Sequence, residues 1–124
     1  MASLSTVILL SPFPEEAALL REALQEEGIS SLMWRRRGRL SARDFSGGGV
    51  RAVVMDLDFF RKMRMALGVR RRPPLPLIVL PSHFDWRALA FCLNRGATDF
   101  LPRPLRHDDF LPTLRLSERL VDGF

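Results

Sequence analysis

A chain of 124 residues suits one domain whose core needs neither disulfides nor metal to hold together. Hydrophobic residues make up 47% and charged residues 27% of it, an ordinary globular balance, and no apolar run approaches the ~20 residues that cross a bilayer. The net charge of +5 is almost entirely arginine, with Lys62 the only lysine, and a surface of that sign attracts nucleic acid, nucleotides or anionic lipid.

Thr6-Val7-Ile8-Leu9-Leu10, closed by Ser11-Pro12-Phe13-Pro14, predicts a buried strand and its turn. Residues 14–27 carry Ala17, Leu20 and Leu24 at helical spacing, with glutamates in the first turn and Gly28 as the stop. A weak second strand is expected over 29–34. Residues 35–49 are polar and glycine-rich, room for a loop and at most a short helix. Val50 and the run Ala52-Val53-Val54-Met55 then lead into Asp56. Apolar residues without polar alternation read as a strand buried on both faces, the kind found inside a parallel sheet.

Residues 59–67 suit a short helix, and Pro73-Pro74-Leu75-Pro76 stiffens the approach to a strand at 77–80. A helix is expected over 85–95, ended by Gly96, and a short strand over 98–101 before Pro102-Arg103-Pro104. The last helix spans 109–121, with Pro112 tolerated in its first turn if Asp108 or Asp109 is the N-cap. The alternation βαβαβαβαβα argues for an α/β domain over 1–124, a five-stranded parallel sheet with helices on both faces.

Asp56 ends the central strand, and in open α/β sheets sites form at the carboxyl ends of strands. Equally, Asp56 and Asp58 can simply begin a loop or cap the next helix. The stretch alone does not decide. Two arginine clusters, Arg35-Arg36-Arg37-Gly38-Arg39 and Arg70-Arg71-Arg72, offer a phosphate-binding surface, although such runs are more often solvated loops. No recognition helix, zinc-finger spacing or aromatic-rich RNA motif accompanies them. The single cysteine, Cys92, cannot form an internal disulfide and has no metal-ligand spacing around it. Residues 1–5 place no basic residue before a cleavable apolar segment, so a reducing, cytoplasmic setting is expected.

These segments resemble, over essentially the full length, the receiver domain of two-component response regulators. Leu10-Ser11-Pro12-Phe13-Pro14 stands where that family has a hydrophobic residue, an acidic pair, a further residue and often proline. Met55-Asp56-Leu57 is similar to the strand that ends in the phosphoacceptor aspartate. Pro76-Leu77-Ile78-Val79-Leu80-Pro81-Ser82 resembles the fourth strand, which normally ends in threonine or serine. The segment from Asn94 to Leu105 resembles the family's Gly-Ala…Tyr/Phe-Leu-x-Lys-Pro signature, and is the most specific of the matches. The resemblance implies a doubly wound, flavodoxin-like sheet in order 2-1-3-4-5. Asp56 then stands at the phosphoacceptor position, and Phe100 at that of the switch aromatic.

Four of the family's five chemical residues are replaced: the acidic pair by Ser11 and Pro12, the hydroxyl by Pro81, and the lysine by Arg103. Magnesium needs hard oxygen ligands, carboxylates among them, and phosphoryl transfer depends on positioning and charge neutralisation. The expectation is therefore a degenerate receiver with no catalytic residue, no metal and no cofactor. Glu15, Glu16 and Asp58 lie close in sequence but not at the family's ligand positions, and rescue by them is not expected. Arg103 either turns to solvent or grips Asp56 with its planar fork, and the contact is the preferred expectation. A partly exposed pair of that kind contributes a fraction of a kilocalorie to about 1 kcal/mol.

With the chemistry lost, function is expected to lie on the surface. The resemblance turns Trp86, Leu89, Ala90 and Leu93 inward and leaves Phe91 outside, between Arg87 and Arg95. An aromatic rimmed by arginines is how a binding hot spot is composed. Helix 85–95, strand 98–101 and helix 109–121, with Asp99, Asp109, Arg115 and Arg119, form the expected face for a protein partner or a second copy. The leading expectation is a phosphorylation-independent, non-enzymatic signalling module. The alternative is a receiver-like domain that binds a nucleotide or nucleic acid through its arginine clusters.

Overall fold

The computed structural model describes residues 6–33, 49–61, 76–82, 85–94 and 96–122. Five parallel strands form one sheet in the order β2-β1-β3-β4-β5, as expected. They are β1 (Thr6–Leu10), β2 (Ser30–Met33), β3 (Val50–Asp56), β4 (Leu77–Leu80) and β5 (Asp99–Phe100). The helices are α1 (Pro14–Glu26), α2 (Trp86–Asn94) and α3 (His107–Asp122), and residues 57–61 are helical directly after β3. Expected structure at 34–48 and 62–75, both arginine clusters included, lies outside the described residues.

Strand alternation divides the core in two. Val7, Leu9, Ala52, Val54, Ile78 and Leu80 face one side, where they meet Leu20 and Leu24 of α1 and Phe110 and Leu114 of α3. Ile8, Leu10, Val53, Met55, Leu77 and Val79 face the other, against Phe60, Cys92 and Ala97. This two-sided burial is why the strands read as unbroken apolar runs. Each fully buried leucine, valine or phenylalanine contributes about 1.5–3 kcal/mol relative to exposure. The bidentate pair of Arg51 with Glu118, at 3.0 and 3.1 Å, ties the start of β3 to α3.

Pro14 opens α1 and Gly28 closes it. At φ 69° Gly28 adopts the left-handed conformation that releases Ile29 N–H to bond the Leu24 carbonyl, a standard helix stop. Asp85 caps α2 by accepting the Arg87 N–H at 2.9 Å.

Two expectations are corrected. α3 begins at His107, so Pro112 lies beyond the first turn and inside the helix. It sits on the exposed side of α3, where the hydrogen bond it forfeits faces water. The buried stripe of α2 is also rotated from the expected one. Ala88 and Cys92 point into the core, Leu89 and Phe91 are half-buried, and Ala90, Trp86 and Leu93 are exposed, Trp86 at 70% and Leu93 at 46%. Two small residues one turn apart let the helix lie close against the sheet. The larger side chains are left at the rim.

Candidate functional site

The carboxyl ends of β1, β3 and β4 and the connection from β5 to α3 converge on one side chain, Arg103. Its Nε donates to Glu16 Oε2 at 2.6 Å and its Nη2 to Glu16 Oε1 at 2.9 Å, a two-pronged grip. The same Nη2 lies 2.6 Å from Asp56 Oδ1. Nη1 donates to the Leu80 carbonyl at 3.1 Å and, at a longer 3.4 Å, to Ser82 Oγ. A guanidinium has five N–H groups, and every one of them has an acceptor here. The Phe13 ring lies over the guanidinium carbon, 4.8 Å from ring centre, a cation–π contact that covers one face.

The partners are themselves held in place. Ser11 Oγ donates to Glu16 Oε1 at 2.8 Å and accepts the Phe13 N–H at 3.1 Å, so the turn after β1 fixes the first helical turn of α1. Asp56 Oδ2 accepts the Asp58 N–H at 3.0 Å. The side chains retain only 12% (Arg103), 10% (Glu16) and 6% (Asp56) of their full exposure. Hydrogen bonding to Glu16 raises the Arg103 pKa above the ordinary arginine value; burial opposes this, and Asp56 reinforces it. The guanidinium is charged throughout the working pH range. Two carboxylates against one guanidinium leave the cluster with a net negative charge.

The expected Asp56–Arg103 contact is present. Glu16 is the residue that sequence reasoning left out of the site. Its signal was faint: a proline at the start of α1 and a serine five residues earlier, whose contact becomes apparent only when the turn folds back. Glu15 and Asp58 are exposed, and Pro81 is buried at the end of β4. Phe100, at the expected switch position, is half-buried in β5. Asp99 is half-buried beside it, and burial raises its carboxyl pKa above the usual value, against the bond from Phe100 N–H that lowers it.

Of the expected interaction residues, Arg87, Arg115 and Arg119 are exposed, while Arg95 lies outside the described residues. Phe91 is not the outward anchor the sequence suggested. Its ring meets Phe60 edge-on at 6.2 Å between centroids, and the Arg61 guanidinium lies 5.8 Å from it. The large apolar residues of α2 that stand exposed are Trp86 and Leu93.

No protein-family model matches the sequence, and no curated protein matches it. Solved structures do. A response regulator from Thermotoga maritima is 18% identical with a TM-score of 0.68, over 91% of this chain and 96% of that one. A CheY-like receiver domain from Methanospirillum hungatei JF-1 is 14% identical with a TM-score of 0.70, over 98% of each chain. A receiver domain from Clostridium thermocellum is 16% identical with a TM-score of 0.70, over 97% of this chain and 98% of that one. At such identities the likeness establishes the fold, and the chain has the receiver fold.

The divalent ion expected at this end of a receiver sheet does not fit the residues as they stand. Ser11 and Pro12 bring no carboxylate, and the two carboxylates that do converge are both bonded to Arg103. Among the described residues no three potential ligands of the histidine, cysteine or carboxylate type cluster together. Nor is any described helix long and apolar enough to cross a membrane.

Proposed function

We propose that this chain is a receiver-type signalling module that works without phosphorylation, a non-enzymatic cytoplasmic domain whose output is contact with a protein. The observation that carries this reading is the Arg103 guanidinium, seated between Asp56 and Glu16 with all its N–H groups engaged. A phosphoryl group approaching Asp56 meets an oxygen already paired, a second carboxylate that repels it, and a guanidinium whose N–H groups are already engaged. Contact with a protein partner or a second copy is assigned to α2, β5 and α3. Trp86 and Leu93 supply exposed apolar area on α2, and Leu116 and Leu120 do so on α3 beside Arg115 and Arg119.

Intact-mass measurement after incubation with a small acyl-phosphate and magnesium tests this reading. The expected result is an unmodified chain. A stoichiometric phosphoryl adduct that disappears in Asp56→Asn would sink it.

A further inference from the structure

α3 turns Phe110, Leu114 and Ser117 into the core and leaves the opposite side to solvent. On that side Asp109, Pro112, Leu116 and Arg119 recur at spacings of three and four residues, so they line one seam. Leu116 keeps 51% of its exposure, and Leu120 at its flank keeps 42%. The charges along the helix are not equivalent. Asp108 lies 3.6 Å from His107, Arg115 pairs with Glu27 at 3.2 Å, and Glu118 pairs with Arg51 at 3.0 Å. Asp109 and Arg119 have no ion-pair partner among the described residues. They stand about 15 Å apart along the helix axis, too far to reach each other. An apolar seam with an unpaired carboxylate near one end and an unpaired guanidinium near the other is complementary to its own antiparallel copy.

We propose that a second copy of this chain covers that seam, the two α3 helices pairing antiparallel across a two-fold axis. The proposal rests on the reading of α3 as a contact helix given above and commits that helix to one occupant. Antiparallel pairing sets Asp109 against the partner's Arg119 at both ends, and Pro112 against the partner's Leu116 between them. Charge selects the direction, because parallel helices would set aspartate on aspartate and arginine on arginine. Two-fold symmetry makes each contact twice, so two ion pairs flank an apolar centre and the assembly closes at two copies. The contact uses α3 alone. Trp86 and Leu93, exposed on α2, take no part in it. One helix per copy buries less than a standard interface, so the dimer is weak and exchanges readily.

Sedimentation equilibrium of the full chain from about 10 μM to about 1 mM, the range a small contact needs, tests the proposal. The wild type is expected to dimerise reversibly. Asp109→Arg and Arg119→Asp each set like charges together at both ends and should weaken the dimer about tenfold or more. Mixed in equal amounts, the two variants restore opposite charges at both ends, and the mixture should dimerise as the wild type does. The double variant Asp109→Arg/Arg119→Asp should do so alone. Leu116→Ser should also weaken the dimer, while Trp86→Ala should leave it unchanged. A wild type that stays monomeric at the highest concentration overturns the proposal and gives the seam to a different protein. Single variants that dimerise like the wild type, a mixture no tighter than its components, or a loss in Trp86→Ala equal to that in Leu116→Ser also overturn it. Should circular dichroism show a single variant unfolded, the double variant decides: a dimer supports the pairing and a monomer overturns it. No phosphoryl donor is present, so failure here is distinct from failure of the phosphorylation-independent reading, which the mass measurement judges.

Discussion

Arg103 holds together chain segments that are far apart in sequence: the start of α1 through Glu16, the end of β3 through Asp56, and the end of β4 through the Leu80 carbonyl. Cutting a buried ion pair by removing one partner is costly because the other charge is left behind. Arg103→Ala leaves two such charges and is expected to lower stability by about 3 kcal/mol, read from urea unfolding. The figure of about 1 kcal/mol suggested by sequence applies to a more exposed pair, whereas these side chains keep 12% or less of their full exposure. Arg103→Lys should recover only part of the loss, since an ammonium cannot grip Glu16 with two parallel bonds. Equal stability of wild type and Arg103→Ala would remove the clasp from the account. Asp99 gives a second prediction at this scale. Its folded pKa lies above the unfolded value, so the folded state takes up its proton more readily, and the carboxylate weakens the fold at neutral pH. Asp99→Asn can keep the bond from Phe100 N–H and should raise Tm at pH 7, with the difference shrinking as the pH falls through the raised folded pKa toward 3.8. A gain that persists unchanged at acid pH would contradict this. Asp56 and Arg103 were legible as residues, because each stands at a recognisable place in the chain. Glu16 was not, because its membership depends on how the turn after β1 folds.

The elements were legible wherever one periodicity dominated. β1, β3, β4 and α1 fall where unbroken apolar runs and a capped amphipathic stretch place them. α2 was legible as a helix but not in rotation, because Trp86, Leu89, Ala90, Phe91 and Leu93 make it apolar nearly all round and several stripes compete. Packing selected the stripe of Ala88 and Cys92. Two substitutions distinguish the rotations. Phe91→Ala, which removes a half-buried ring from its contact with Phe60, should cost about 1–2 kcal/mol of stability. Trp86→Ala should stay within about 0.5 kcal/mol while weakening any association that uses this face. Chemical denaturation and light scattering on both variants provide the readouts. If Trp86→Ala proved the more destabilising, the observed orientation of α2 would be wrong.

For the whole molecule, strand order followed from the alternation of elements and from the resemblance to receivers, and the sheet has that order. The site could be read only in part, because the sequence shows which carboxylates are missing and not what fills the gap. The central claim is that a guanidinium of the chain itself fills it, and the Arg103 Nε–H reports on this directly in nitrogen-15 NMR. Bonded to Glu16 Oε2 and shielded from water, it should give a resolved, slowly exchanging resonance near neutral pH. That resonance should be unmoved by magnesium and an acyl-phosphate, and lost or exposed to rapid exchange in Glu16→Gln. A fast-exchanging Arg103 Nε–H in the native protein, or one that shifts when the phosphoryl donor and magnesium are added, would contradict the account.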